Sequence, residues 1–362
     1  MWALGFMSGT SAEGVDAAFI DTDGEAITAF GPTFYEPLAS DERQIIRAAM
    51  AEAVERADAC ETQASSDAAA AITAAHLRLL DRVPPNVPTI ELAGFHGQTL
   101  FHRPPPATSP LTWQVGDPVA VANAIGAPVV CDLRQSDIAA GGQGAPLVPV
   151  FHRALVRRLK LEEPVAMLNI GGVSNVTYID GDTLIAFDCG PGNAPIDEWA
   201  ERTLGRHRDE NGEYASRGRV DSGAVETFTA EPFFAAPPPK SLDRYGLVPN
   251  LPPGMSPEDE AATLTACIAA GIAAARSVLP AAPRRWIVCG GGGHNPALMK
   301  ALKDALHVPV ETADTYGLET DFIEAQAFAY LAVRSLKGLP ITFPGTTGVA
   351  EPITGGRLVR PT

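Results

Sequence analysis

The sequence predicts a two-lobed α/β protein whose ligand is held by glycine-rich turns rather than by basic residues. Three observations lead there. The chain has 362 residues, beyond the roughly 250–300 at which a single hydrophobic core stops growing. Apolar strand-like runs alternate with Ala- and Leu-rich helical runs along its length. One order of signals (strand, glycine-hydroxyl turn, strand, Asp-Gly turn, strand) occurs twice, opening near residue 5 and again near residue 164.

The elements follow in order. "GFMSGTSAEGVDAAFIDTDGEAITAF" reads as a strand, a small-residue turn and two further strands joined at Asp23-Gly24, since Asp-Gly between apolar runs favours a hairpin. Residues 41–82 lack Gly and Pro and form one or two helices, with Ser40 or Asp41 as N-cap. "TIELAGFHGQTLFHRP" is a buried strand ending in a polar turn, followed by a Pro-rich loop at residues 104–110. "TWQVGDPVAVANAIGAPVVCDLR" supplies a short helix and another strand. Gly and Pro then cluster after Asp132, which marks the crossing into the second lobe. There "PVAMLNIGGVSNVTYIDGDTLIAFDCGPGN" repeats the opening grammar, with a hairpin at Asp180-Gly181 and a last strand ending at Asp188. Residues 257–279 are helical, "RRWIVCGGGGHNPALMKAL" is a strand, a four-glycine turn and a helix, and "DFIEAQAFAYLAVRSL" is a last helix in which Phe322, Phe328 and Tyr330 serve packing. The lobes are then expected at 1–134 plus 340–362 and at 135–339.

Charge narrows the ligands. Lys and Arg number 27 against 43 Asp and Glu, a net of −16, which argues against nucleic acid and anionic membrane surfaces. The five cysteines are scattered without a CxxC pair, so neither a disulfide framework nor a zinc ribbon is expected. The N-terminus lacks a basic leader, and the Ala-rich residues 261–275 are too short and too interrupted by Thr and Cys to span a membrane. A cytoplasmic enzyme of small molecules is expected. Glycine turns with Ser and Thr expose backbone N–H groups and hydroxyls, which bind phosphate without a large positive charge. Neither GxxxxGK[ST] nor a strand–GxGxxG–helix is present. Instead three turns share the role: Gly9-Thr10-Ser11, Gly171-Gly172 with Ser174, and residues 290–293.

Seven stretches in order, "GFMSGTSAEGVD", "FHGQT", "DLRQSDIAAGGQGAPLVP", "LNIGGVSNVT", "FDCGPGN", "CGGGGHN" and "TDFIEAQAFAYLA", make the chain similar to the anhydro-N-acetylmuramic acid kinases from residue 5 to about 350. The resemblance implies an actin-like ATPase fold of two ribonuclease H-like lobes with ATP in the cleft between them, as a homodimer. It implies hydrolytic opening of the 1,6-anhydro bridge with phosphorylation of O6. By the family motif, Gly9, Thr10, Ser11, Ala12, Glu13, Gly14, Val15 and Asp16 form the first phosphate turn. Asn169, Gly171, Gly172 and Asn175, with Gly190, Gly192 and Asn193, form the second. Gly290, Gly291, Gly292 and Asn295 lie by the adenosine. Asp188 matches the catalytic base and Glu324 the acid that positions sugar and water. His96, Gln98, Thr99 and Arg134 are the sugar-binding candidates, an arginine fork suiting the lactyl carboxylate. Mg2+ is implied with ATP, its outer-sphere partners Glu13 and Asp16.

Other readings stand beside these. Asp188 alone is a turn residue or helix cap, with Asn193 competing for either role. His96 and His294 lack a second ligand at metal spacing and read as packing or supporting residues. Asp314 and Asp321 read as caps. The chain has "GTSAEG" where the family has Gly-Thr-Ser-x-Asp-Gly, placing Glu13 in the aspartate position, and "PPPKSLDRYGL", around Lys240 and Arg244, departs from the usual Lys-Ser-Thr-Gly-Arg. A kinase of the same fold for another small acceptor is the alternative enzyme. A chaperone-like or sensor ATPase is the alternative outside enzymes, and it would need an appended peptide- or DNA-binding module.

Overall fold

The computed structural model describes residues 1–242 and 246–362. The chain divides into two compact units, Met1–Arg158 with Phe322–Thr362, and Leu159–Asp321.

The first unit opens with an antiparallel meander of β1 (Trp2–Ser8), β2 (Gly14–Thr22) and β3 (Ile27–Pro37). Its hairpin turns at Asp23-Gly24 as the sequence predicts: the Asp23 carboxylate accepts the N–H groups of Glu25 and Ala26, and Gly24 takes a φ of 86°. Helices α1 (Ser40–Arg56) and α2 (Gln63–Asp81) follow. The N-cap of α1 is Ala39, not Ser40 or Asp41, because Glu42 reaches back to accept the Ala39 N–H at 2.8 Å. Strand β4 (Leu92–Arg103) runs on through Gln98 instead of turning there, and β5 (Leu111–Val115) folds back antiparallel to it. The sequence reading, a helix and one strand, misses β5. Then come α3 (Pro118–Ile125), β6 (Val129–Cys131), α4 (Gln135–Ala139) and α5 (Pro149–Leu159).

The second unit begins with β7 (Val165–Ile170), β8 (Val173–Asp180) and β9 (Thr183–Pro191), again an antiparallel meander. After α6 (Ala194–Leu204), α7 (Ser222–Thr229), α8 (Pro232–Ala235) and α9 (Pro257–Ala274), strand β10 (Arg285–Cys289) pairs parallel to β7. Helix α10 (Pro296–Leu306) leads to β11 (Val310–Thr312), parallel to β10. The helical run Pro257–Val278 is, at 22 residues, long and apolar enough to cross a membrane by length and composition, contrary to the sequence reading. Its Ile268, Ile272 and Leu264 lie instead in the core of this unit with Trp199 and Trp286.

The chain then returns to the first unit through α11 (Ile323–Leu336), α12 (Pro344–Thr347) and β12 (Arg357–Val359), which pairs with β6. The boundaries differ from those expected: residues 135–158 and 322–339 belong to the first unit. Close packing is the reason. A Cβ at Gly5 would lie 1.9 Å from the Ala325 carbonyl oxygen, and one at Gly94 2.1 Å from that of Phe328, so two glycines let the α11 backbone rest directly on β1 and β4.

The sheets are copies of one plan. The first has the order β12-β6-β4-β1-β2-β3, with β5 beside β4, and the second β11-β10-β7-β8-β9. In each, three antiparallel strands in chain order adjoin two parallel strands supplied by later crossovers. This is the ribonuclease H-like plan of the actin-like ATPases, and the repeat read in the sequence is a repeat of topology.

Candidate active site

In the first unit the chain leaves β1 at Ser8 and rejoins the sheet at Gly14. Ala12 closes the turn by donating its N–H to the Gly9 carbonyl at 3.1 Å, with a left-handed φ of 53°. That conformation costs a non-glycine residue about 1–2 kcal/mol, so the surroundings must hold it. Ala12 and Val15 are fully buried in the core, so they support the turn from beneath. Thr10 and the Glu13 side chain are exposed. The Glu13 carbonyl is clamped by the Leu38 N–H at 2.9 Å and the Tyr35 hydroxyl at 3.2 Å. Gly14 is obligatory, because a Cβ there would meet the Tyr35 ring at 2.4 Å. Burial raises the Tyr35 phenol pKa, and the charges of Asp16 and Glu13 add to that effect. Two carboxylates beside a glycine turn would suit water-mediated Mg2+, which keeps most of its own waters. Among the described residues, no group of three or more His, Cys, Asp or Glu is placed to hold a metal by itself.

The sugar-side candidates of this unit form a connected cluster. Arg134 donates through Nε and Nη2 to His96 Nε2, at 3.3 and 3.1 Å, and through Nη1 to the Gly144 carbonyl at 2.8 Å. A guanidinium has no acceptor, so His96 Nε2 carries the lone pair. Burial, then the Arg134 charge, lowers the His96 pKa to about 3, which keeps the ring neutral. The ring lies 4.8 Å from that of Phe328. Burial raises the Glu324 carboxyl above its usual pKa while Arg134 pulls it back, and burial lowers Arg134 while Glu324 and Asp137 oppose that. Thr99 accepts from Gln114 at 3.2 Å and is partly exposed. Gln98 is fully buried, with its amide bonded to Ser8, Gly9 and Thr99.

Asp137 belongs to the same cluster and was missed in the sequence. Only 1% exposed, its carboxylate accepts the Gly144 N–H and the Thr347 hydroxyl, each at 2.6 Å. A Cβ on Gly142 would meet it at 2.3 Å. It holds in place the loop whose Gly144 carbonyl receives Arg134. The available signal was an acid one helical turn after Arg134 and just before "GGQG".

In the second unit Asp188 stands on β9. Ser174 is opposite Gly190 but Asn175 is opposite Asp188, so Cys189 is an extra residue in β9. Such bulges re-aim side chains. The Asp188 N–H donates to the Lys240 carbonyl at 3.0 Å, and Asp188 Oδ2 accepts the Leu242 N–H at 2.7 Å. Burial pushes its pKa up to about 7, the Leu242 N–H opposing. The side chain keeps partial solvent access. Lys240 is an anchor: its ammonium donates to the Phe233 and Phe234 carbonyls and lies over the Phe233 and Phe187 rings. Arg244 lies outside the described residues.

Three glycine turns converge beside β9. The Gly192 and Asn193 N–H groups donate to the Gly172 and Gly171 carbonyls at 2.9 and 2.7 Å. A Cβ on Gly192 would sit 2.1 Å from Gly171 O, and one on Gly292 3.2 Å from the Asn193 side chain. Gly290, at φ 76°, would carry its Cβ 2.4 Å from Asn169 Oδ1. Asn295 caps α10, its Oδ1 accepting from Ala297 and Leu298. His294 pairs with Asp321 at 2.8 Å on the surface, and Asp314 accepts from the Thr320 N–H. The bonds from Gly192 and Asn193 tie their turn to that of Gly171 and Gly172 through backbone groups of both.

Residues 1–360 match the family model of anhydro-N-acetylmuramic acid kinase. The chain belongs to that kinase family. The anhydro-N-acetylmuramic acid kinase of Nitrobacter winogradskyi is 51% identical over 376 residues, covering 100% of both chains. The Rhodopseudomonas palustris kinase of the same name is 50% identical over 370 residues, again with 100% of each chain covered. These relatives align with the chain along its entire length. Among solved structures, the ADPNP-bound activator of 2-hydroxyisocaproyl-CoA dehydratase from Clostridium difficile aligns at TM-score 0.45 and 11% identity, over 93% of this chain and 96% of its own. A ligand-bound xylulose kinase from Lactobacillus acidophilus aligns at TM-score 0.43 and 11% identity, over 100% and 94%.

Proposed function

We propose that the protein opens 1,6-anhydro-N-acetylmuramic acid with water and transfers the ATP γ-phosphoryl group to the O6 so released, giving N-acetylmuramate 6-phosphate and ADP in cell-wall recycling. The observation that carries the chemistry is Asp188, a carboxylate with a pKa of about 7 on a bulged strand beside converging glycine turns. A base poised near the working pH is what water activation asks for. In this reading Asp188 takes a proton from water as its oxygen bonds to C1. The C1–O6 bond breaks, O6 bonds to the γ-phosphorus, and the phosphorus–oxygen bond to ADP breaks. The proton on Asp188 then passes to solvent.

The other residues bind and orient. Gly9, Thr10 and Ser11 in one turn offer N–H groups and hydroxyls to phosphate oxygens, and Gly172 in the other offers its N–H, held in place by the bonds from Gly192 and Asn193 to the Gly172 and Gly171 carbonyls. Bonds to His96 and Gly144 occupy three of the five Arg134 N–H groups. The rest suit the lactyl carboxylate, with Glu324 orienting sugar and water. Mg2+, which neutralises charge on the transferring phosphates, is assigned to Glu13 and Asp16 through water. The reading takes the protein as a cytoplasmic homodimer, which sedimentation at two concentrations tests.

The deciding assay is ADP release from Mg-ATP with and without the anhydro sugar. Turnover is expected only with the sugar, because its binding completes the site. Equal turnover with glucose or N-acetylglucosamine removes the specific assignment and leaves a broader sugar kinase.

A further inference from the structure

Gln98 sits in the motif "FHGQT", where the sequence points to the sugar. We propose instead that Gln98 is a positioning residue for the first glycine turn, acting on ATP binding and not on the sugar. This rests on the kinase reading above, which makes that turn a phosphate site.

The strand register is the first ground. Between β1 and β4, Phe6 is opposite Phe95 but Ser8 is opposite Gln98, so β4 carries one residue more than β1 across this step. Gly97 absorbs the irregularity with a φ of 72°, and a Cβ there would meet the Val115 carbonyl oxygen at 2.7 Å. The extra residue brings Gln98 beside Ser8 at the mouth of the turn and leaves His96 facing Arg134.

The second ground is the fate of the amide. Gln98 has no solvent exposure. Its Oε1 accepts the Ser8 hydroxyl at 2.6 Å, and its Nε2 donates to the Gly9 and Thr99 carbonyls at 3.2 and 3.3 Å. Both N–H donors thus have protein partners. The Gly9 carbonyl is also the acceptor on which Ala12 closes the turn. Because the peptide unit is planar and trans, its C=O and N–H point in opposite directions. Drawing the Gly9 oxygen inward onto Gln98 turns the Thr10 N–H outward, at a residue exposed to solvent. The strut thereby presents a backbone donor to an anion and supports the strained Ala12.

Gln98→Met keeps the length of the side chain and removes every hydrogen bond. Calorimetry on the full-length protein measures ATP and anhydro-sugar binding separately, and neither titration requires turnover. The change leaves the buried Ser8 hydroxyl unpaired and removes the amide bond that, with the Ala12 N–H, orients the Gly9 carbonyl, so ATP affinity should fall ~5–150-fold, the equivalent of ~1–3 kcal/mol. Sugar affinity should stay within about twofold. Ser8→Ala, a milder change, should show the same ATP-side loss at smaller size, and it keeps the test open if Gln98→Met does not fold. Loss of sugar affinity equal to or larger than that of ATP, in either variant, overturns the proposal. Unchanged ATP affinity overturns it as well. If the wild-type protein binds ATP but not the sugar, the kinase reading fails, while the Gln98 result is still judged on ATP.

Discussion

The two glycine-rich turns after β1 and after β7 occupy equivalent places in the two sheets, yet they are held by different means. After β1, side chains hold the turn: Gln98 bonds the Gly9 carbonyl, and Tyr35 reaches the Glu13 carbonyl. A Cβ on Gly9 would meet nothing nearer than Ser11 Oγ at 3.7 Å. After β7, backbone packs on backbone, with Gly192 pressed against the Gly171 carbonyl and Gly290 against that of Ile170. A turn held by side chains yields by degrees when one strut is removed. A turn held by glycine contacts has no room to yield.

The largest effect should expose that difference. Gly192→Ala forces a Cβ to 2.1 Å from a backbone oxygen, and should lower turnover by at least ~10²-fold. Gly9→Ala, in open space, should lose less than ~10-fold. Steady-state kinetics of the pair decides it: comparable losses would break the comparison.

An intermediate effect belongs to Asp137. Asp137→Ala leaves the Gly144 N–H and Thr347 hydroxyl unpaired and frees the loop that steadies Arg134. Sugar affinity should fall ~5–150-fold with ATP affinity within about twofold, the mirror image of the result expected for Gln98. Asp137→Asn, which can still accept from Gly144, should recover most of the loss. Equal weakening of both ligands would reduce Asp137 to a general stabiliser.

The smallest effect is at Glu13. Its exposed carboxylate is one methylene longer than the aspartate of the family motif. Glu13→Asp should lower the Mg2+ concentration for half-maximal rate by a few-fold, since Mg2+ demands near-octahedral geometry. If Glu13→Ala leaves that concentration unchanged, Asp16 is the partner.

What the sequence made legible was local. Asp23-Gly24 and Asp180-Gly181 specify hairpins through their own turn chemistry, so both meanders were readable without tertiary knowledge. The family motif likewise points to Asp188, which β9 holds buried with its pKa raised to about 7. The remainder depended on distant partners. Helix α11 joins the first unit because Gly5 and Gly94 admit its backbone. Asp137 meets Thr347 across 210 positions. Nothing in "FHGQT" reveals the extra residue that pairs Gln98 with Ser8. Glycine spacing marks a turn but not what holds it.

Asp188→Asn tests the central claim most directly, with ring opening followed by sugar NMR and ADP release in the same sample. In the wild type, kcat/KM should rise with pH through about 7, because only the ionised carboxylate accepts the water's proton. The amide keeps the shape and cannot take that proton. Both products should therefore slow together by at least ~10²-fold, with ATP and sugar affinity within a few-fold of wild type. ADP appearing at near wild-type rate while the ring stays closed, or normal rates of both products, would contradict the assignment of Asp188 as the base.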